Sequence, residues 1–517
     1  MDPAAPALED VELARMDIAG AGAGAPSGPT TSVGEPRARL LHTLRASEGG
    51  GGAAGGAQQQ RRRQRQPGGG VRGGARELVV TALAWSQTGL TLAAAFGRHD
   101  IIGWCDQPGV VATWNLGRGA AGAAAPDRTL PLSCCATAVA FHPTEPGLLA
   151  GGTFSGEVVL WDLGRGGGGG GGDGSGGGGG GGGGEDPQVA RSDCLGGVRH
   201  TEPVTALAWQ HSASEARRHG SAGGRAHLLL SLGADGKLLV WGGGGARLDN
   251  PIMGYELRCP PPSGSGLGST VLPGALCLAL APASAGGGGA PPGGADASAA
   301  AAAAAAVAAF VGLEGGQLLR CHLADPDEAS LREFARGAAA AAAGGGGRAE
   351  LRAPVREAGY ERGAGAVTGV AASPFQPSAV LACGADGCVR LFHALGRQPV
   401  LTIYAPAVQL LGVEWSPTEP LQFAVSAGDG RVLLYDLGRA RQQGALAAPA
   451  LVLDAGGSGS GGGGGRAAAA FNRAAPGLFA TAAGGEIKVW QLPEQLAGGG
   501  EPQARASKQL ARMVQLG

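Results

Sequence analysis

The sequence predicts an all-β chain: a seven-bladed β-propeller with a disordered N-terminal arm and Gly/Ala-rich loop insertions. Three observations predict it. A short β-type segment, VTALAW in its clearest form, returns along the chain from about Val79; a Pro-rich turn follows it; and a third segment ends in an aromatic residue at six of seven corresponding places. Recurrence of one unit at a fixed period marks an architecture in which each copy buries its apolar face only against its neighbours.

The first strand of the unit reads VTALAW at Val80 to Trp85, ATAVAF at Ala136 to Phe141, VTALAW at Val204 to Trp209 and VTGVAA at Val367 to Ala372. Thr81, Thr137, Thr205 and Thr368 thereby share one equivalent position, in what reads as a buried inner strand. The turn follows as HPTEPGLLAGG after Phe141, SPFQPSAVLACG after Ala372, SPTEPLQFAVSAG after Trp415 and NRAAPGLFATAAGG after Phe471. Proline fixes φ and glycine supplies the loose ends, so these are hairpin connections into a second strand. The third strand closes on Trp114, Trp161, Trp241, Phe392, Tyr435 and Trp490, with Cys321 in the degenerate fourth copy, FVGLEGGQLLRC. Its tightest spacings are roughly 43 and 47 residues, close to the ~40–45 of a four-stranded propeller blade.

Longer spacings contain low-complexity blocks: Gly166–Gly184, Ala283–Ala309, Ala338–Gly347 and Gly456–Gly465. They read as surface-loop insertions, whose closure entropy grows only slowly with length. Residues 1–75 lack sustained hydrophobic periodicity and form the predicted arm, 76–495 the propeller and 496–517 a C-terminal tail. Inside the arm, Leu8–Ile18 and Arg37–Leu44 could turn helical on a partner, and Val71–Glu77 is the expected ring-closing strand.

Bulk properties narrow the function class. Glycine supplies 102 of 517 residues, well above the ~7% average, but without the G-X-Y period of collagen. A net charge of −1 with 4% aromatic residues gives neither the field nor the stacking surface for nucleic acid. Nine cysteines without paired spacing suit reduced thiols in the cytosol. The acidic start, MDPAAPALEDVELARMD, does not read as a secretory signal. The Ala299–Val311 run falls short of the ~20 apolar residues of a membrane helix. The basic run Arg61–Arg65 reads as a solvated stretch of the arm.

In the third unit His200, Ser231, Asp235 and Trp241 stand at the spacing of a hydrogen-bonded blade network, with Asp235 six residues before Trp241. Asp386 and Asp429 hold the same offset from Phe392 and Tyr435, and Trp161 is followed by Asp162. A carboxylate in the tight turn accepts backbone or imidazole protons while the ring fills the space between blades. Pro108, Ser155, Gly315 and Gly484 replace the Asp elsewhere. The same residue types suit a hydrolase triad, but other units repeat part of the set, so the structural role is expected. No zinc-ligand spacing or phosphate loop is found, which predicts a non-enzymatic protein without metal or cofactor.

This set resembles the WD-repeat family. GAVTGVAASPFQPSAVLACGADGCVRLF at Gly365–Phe392, WSPTEPLQFAVSAGDGRVLLYDL and EIKVWQL are similar to the dynein intermediate chains, in particular the shorter WD-repeat intermediate chain of cytoplasmic dynein-2, the motor of retrograde intraflagellar transport. The resemblance implies a propeller that binds the dynein-2 heavy-chain tail and an arm that collects roadblock, Tctex and LC-type light chains. It also implies a second intermediate chain and the intraflagellar transport train as partners, with residence in the cytoplasm, the cytoskeleton and the cilium or flagellum and its base. No Thr-Gln-Thr light-chain anchor is present in the arm; Thr30-Thr31-Ser32-Val33 is a distant counterpart. Leu40 and Leu41, on a predicted amphipathic helix, are the candidate light-chain contacts. For the heavy chain, Phe154, Glu202, Ala234, Glu314, Ala385 and Gly428 are expected on one rim, with an exposed Phe154 as anchor. The alternative is a substrate receptor of a cullin ubiquitin ligase; against it, Gly164 moves Arg165 one place beyond the Trp-Asp-x-Arg spacing.

Overall fold

The structure is a computed structural model. It describes residues 37–46, 78–118 except 102, 125–165, 186–192, 198–220, 226–242, 248–260, 270–281, 307–342, 351–356, 359–407, 409–456, 467–498 and 503–515.

Seven four-stranded antiparallel sheets form the propeller. Blade one runs from Val79–Trp85 to Arg128–Leu132, blade two from Ala136–Phe141 to Gln188–Arg191, and blade three from Val204–His211 to Met253–Glu256. Blade four runs from Ala275–Leu280 to Val355–Arg356, blade five from Val367–Ala372 to Pro399–Tyr404, and blade six from Leu410–Trp415 to Leu451–Asp454. Blade seven has three consecutive strands, Ala467–Phe471, Leu478–Ala483 and Glu486–Gln491, and takes its fourth from the N-terminal side, Arg39–Arg45. The inner strands neighbour one another in order, and the inner strand of blade seven returns to that of blade one.

Three sequence readings are corrected here. The closing strand is Arg39–Arg45 rather than Val71–Glu77, which lies outside the described residues. Arg37–Leu44 is accordingly not an amphipathic helix: the segment pairs with Glu486–Gln491, setting Leu40 opposite Trp490 and Leu44 opposite Ile487. Backbone pairing and complete burial of Leu44 outweigh the helical spacing of its leucines, because an edge strand gains a full ladder of hydrogen bonds. The inner strands, finally, are mostly half-buried, since one of their faces lines the axis; the second strands, such as Leu148–Thr153 and Ala379–Gly384, are buried along their whole length.

Sequence accounts for the local geometry. In blades one to six the inner strand changes register close to its start: Thr81, Thr137, Thr205, Leu276, Thr368 and Leu411 are each skipped in the pairing with the second strand. A bulge re-aims the side chain it leaves unpaired. At the other end of the inner strand in blades two, five, six and seven a buried polar residue caps the Pro-rich turn. Ser373 Oγ accepts from Phe375 and Gln376 N–H, Ser416 Oγ from Thr418 and Glu419, and Asn472 Oδ1 from Ala474 and Ala475. His142 Nδ1 does the same for Thr144 and Glu145. Such side chains satisfy turn amides that would otherwise be buried unpaired.

Between the blades lie the third-strand aromatics: Trp114, Trp161, Trp241, Phe392 and Tyr435 are all buried, each contributing on the order of 2 kcal/mol of apolar burial. The low-complexity blocks fall in connections, although Val307–Ala309 join the second strand of blade four and the helix Glu328–Ala342 extends into the alanine tract. The C-terminal tail contains a helix, Gln503–Gln515, which buries Ala506, Leu510, Met513 and Val514 in the core shared by blades five and six.

Candidate functional site

The turn-bearing rim is built from one repeated contact. Where the second strand ends, a turn N–H donates to the carbonyl one residue ahead of the inner strand: Phe154 to Cys135 at 2.9 Å, Ala234 to Pro203 at 2.9 Å, Glu314 to Gly274 at 2.9 Å, Ala385 to Ala366 at 2.9 Å and Gly428 to Gln409 at 3.0 Å. Glu202 lies exposed in the loop entering the inner strand of blade three. All six residues expected at a partner contact therefore stand on one rim.

The anchor expected among them is corrected. Phe154 is half-buried, held down by its bond to Cys135. The aromatic that projects is Trp104, 90% exposed, in the connection between Thr91–Gly97 and Gly109–Asn115 of blade one. Its signal in the sequence is weak, one tryptophan inside a polar turn, HDIIGWCDQPG. An exposed tryptophan is the side chain that contributes most when a partner covers it.

Behind this rim the blade-three residues form a continuous relay. Trp241 Nε1 donates to Ser231 Oγ at 2.8 Å, Ser231 Oγ lies 2.8 Å from His200 Nε2, and His200 Nδ1 lies 3.1 Å from Asp235 Oδ1. The tautomer with its proton on Nδ1 lets every group act once as donor or acceptor. Asp235 also accepts the backbone N–H of Thr201 at 3.0 Å and pairs with Lys237 Nζ at 3.1 Å. Burial would raise the Asp235 carboxyl, but the His200 bond, the Thr201 amide and Lys237 outweigh it and hold the group well below the usual carboxylate range. Ser231 and His200 are buried and engaged, so the chemistry of this set is to lock a turn against the core. A Cβ on Gly233 would fall 2.3 Å from His200 Nδ1, which is why glycine stands there.

In blades five and six an arginine of the third strand pairs with the turn carboxylate. Arg390 Nη2 bonds Asp386 Oδ2 at 2.6 Å and Arg431 Nε bonds Asp429 Oδ2 at 2.7 Å, and both carboxyls are lowered despite partial burial. In blade two the Trp161 ring lies over Gly151, where a Cβ would come within 2.5 Å of it. Thr153 Oγ1 accepts the Glu157 N–H at 3.0 Å there, so the turn is held by a hydroxyl. Arg165 turns back to Asp162, with Nε 3.7 Å from Oδ2. Leu40 is half-exposed on the closing strand and Leu41 half-buried. Among the described residues no cluster could hold a metal ion, and no helix is long and apolar enough to cross a membrane.

Fold and rim together define a WD-repeat propeller: seven blades, with turn carboxylates of blades three, five and six tied to their neighbours. No family model matches the chain. Known relatives do: it is 30% identical to mouse cytoplasmic dynein 2 intermediate chain 2 over 71% of its own length and 58% of that protein. With the human cytoplasmic dynein 2 intermediate chain 2 it shares 29% identity over 85% of its length and 70% of that protein. With the Xenopus laevis dynein axonemal intermediate chain 4 it shares 23% over 69% and 39%. The chain is thus similar over most of its length to dynein intermediate chains, and it spans somewhat over half to about 70% of the cytoplasmic relatives' length.

Proposed function

We propose that this chain is a non-catalytic intermediate chain of cytoplasmic dynein 2. Its propeller binds the heavy-chain tail through the rim that carries Trp104, Phe154, Glu202 and Glu314. The segment preceding the closing strand recruits light chains of the roadblock, Tctex and LC types, and the assembly, with a second intermediate chain, serves retrograde intraflagellar transport and cilium assembly. The observation that carries this reading is the 29% identity to human cytoplasmic dynein 2 intermediate chain 2 over 85% of the chain.

The physical features agree with it. A rigid ring presents one fixed surface, and most of the energy at such a contact resides in a few aromatic anchors. ATP hydrolysis would then reside in the heavy chain, and the propeller would position the motor on its cargo. Affinity purification of the tagged chain from ciliated cells tests the proposal. Heavy chain and light chains among the captured proteins support it, whereas a cullin adaptor in their place refutes it.

A further inference from the structure

The three thiols at the junction of blades one and two are absorbed neither by the blade network nor by the proposed motor role. Cys105 lies half-exposed in the Trp104 turn, while Cys134 and Cys135 are buried side by side just ahead of the inner strand of blade two. The Cys134 thiol donates to the Cys105 carbonyl at 3.8 Å, and the Cys105 thiol donates within its own turn to the Gln107 carbonyl at 3.6 Å.

The backbone clamps this arrangement. A Cβ on Gly109 would fall 2.4 Å from the Cys134 carbonyl and 2.7 Å from the Cys135 Cα, and one on Gly97 would fall 2.5 Å from the Ala136 carbonyl. Phe154 N–H holds the Cys135 carbonyl from the other side. Cys134 and Cys135 are thus fixed, and Cys105 is the member on a surface turn. The three do not converge as a metal site: no metal-holding group occurs among the described residues.

Their acidities are divided accordingly. Burial would raise the Cys105 thiol, but the Cys135 amide and the neighbouring thiols outweigh it and bring it below its ordinary value. Burial, and the bond to Cys105, push Cys134 up to about 11 and Cys135 up to about 12. The accessible sulfur is thus the most acidic of the three and has two further thiols beside it, the arrangement of a redox-sensing site.

We propose that Cys105 and the Cys134–Cys135 pair form a thiol switch on the rim, in which a hydroperoxide oxidises Cys105 and one of the pair closes on it as a disulfide. The Cys105 thiolate attacks the protonated oxygen of the hydroperoxide, the O–O bond breaks, and the sulfur becomes a sulfenic acid while the departing hydroxide or alkoxide takes a proton from solvent to leave as water or alcohol. The second thiol then attacks that sulfur and expels water, its own proton going to the departing hydroxide. The two sulfurs lose two electrons in total and the peroxide gains them. Bridging draws the Trp104 turn onto the Phe154 turn, so oxidation remodels the surface offered to a partner.

Peptide mass spectrometry of the full chain treated with hydrogen peroxide tests this, because trypsin separates Cys105, in His99–Arg118, from Cys134 and Cys135, in Thr129–Arg165. The expected product is a cross-link between those two peptides, reversed by dithiothreitol and absent from Cys105→Ser. Without peroxide, iodoacetamide should label Cys105 at least about tenfold faster than the buried Cys259. Cross-linking through either Cys134 or Cys135 supports the switch. A Cys134–Cys135 bridge within one peptide, or labelling of Cys105 no faster than Cys259, overturns it. The readout requires no dynein subunit, so it stands or falls apart from the proposed motor role.

Discussion

Thr205 Oγ1 in blade three donates to the carbonyl of Ala275 in blade four at 3.0 Å, across the gap between two inner strands. The contact recurs around the axis: Thr81 to Ala136 at 2.9 Å, Thr137 to Val204 at 2.6 Å and Thr368 to Leu410 at 2.8 Å. In blade four the bulge residue is Leu276, and the Cys277 thiol bonds the Val367 carbonyl at 3.5 Å instead. The repeated threonine is therefore a fastener between blades: the bulge leaves it unpaired, and its hydroxyl sits between a carbonyl of the next blade and one of its own, Leu232 O at 3.2 Å in the case of Thr205.

Replacing one fastener by an isostere without the hydroxyl isolates its contribution. Thr205→Val keeps the shape and removes the donor to the Ala275 carbonyl, which should lower stability by about 1–2 kcal/mol. Thr205→Ser should retain most of it. Urea denaturation of the three chains checks this, and an unchanged midpoint for Thr205→Val would refute the fastener role.

Blade three should account for part of the protein's acid sensitivity. The Asp235 carboxyl is held below its ordinary value by His200, the Thr201 amide and Lys237 against the opposing effect of burial. The stability it contributes is then complete above the unfolded value of about 3.9 and drains as pH falls below it. Asp235→Asn should be less stable than the parent at pH 7 and converge on it in acid. Melting temperatures recorded down the acid limb give the comparison, and parallel curves would contradict it.

Much of this fold is legible in the residues, and what is hidden has physical causes. The blades announce themselves because most of them bury an aromatic at the end of the third strand, and Trp161, Trp241 and Tyr435 do so although inserted blocks stretch the spacing between them. Even blade four, where Cys321 replaces the aromatic, keeps the turn Leu313-Glu314-Gly315-Gly316 that betrays its register. The closing strand is obscured because Leu40, Leu41 and Leu44 have helical spacing, and its pairing partner lies at the opposite end of the chain. Backbone ladders leave little mark on sequence. Trp104 escapes notice because exposure follows from how a turn is folded, and the C-terminal helix because its apolar stripe, Ala506, Leu510, Met513 and Val514, sits in a short segment beyond the last blade.

The opposite pH dependence is expected from Glu414. Burial raises this carboxyl to about 7, although it accepts the Phe471 N–H of blade seven at 3.0 Å and faces Arg473. A raised acid stabilises fully below its unfolded value of about 4.3, and that contribution is lost as pH climbs through the folded value. Glu414→Gln keeps an acceptor for Phe471 and removes the titration. The parent should therefore lose stability relative to the variant between about pH 4.3 and pH 7, and equal slopes in chemical denaturation across that window would disprove the assignment.

Trp104 should matter to partners and little to the fold. Since it is 90% exposed, Trp104→Ala should leave the melting temperature within about 1 °C, because surface substitutions away from special features are nearly neutral. Under the proposed function the same change weakens capture of the heavy-chain tail by at least about tenfold, as loss of an interface aromatic does. Equal capture by variant and parent at matched concentration would move the contact off this part of the rim.

The closing strand offers the sharpest separation of fold from recruitment. Leu44 is wholly buried beside Val80, Ile487 and Val489, whereas Leu40 on the same strand is 43% exposed. Leu44→Ala should destabilise by about 2–4 kcal/mol through the lost burial and the cavity it leaves, while Leu40→Ala should change stability by less than about 1 kcal/mol. Blade seven without this strand has three of its four, and the seam to blade one then rests on Val80 N–H to Gly484 O at 2.7 Å, Trp85 Nε1 to Ala470 O at 3.1 Å and Asn472 Nδ2 to Gly89 O at 2.8 Å. A chain beginning at Leu78 should consequently unfold at lower denaturant and exchange its blade-seven amides faster, whereas one beginning at Arg37 should match the parent. Hydrogen exchange on the three chains decides it: unchanged protection of Glu486–Gln491 in the chain that begins at Leu78 would show that the ring closes without Arg39–Arg45.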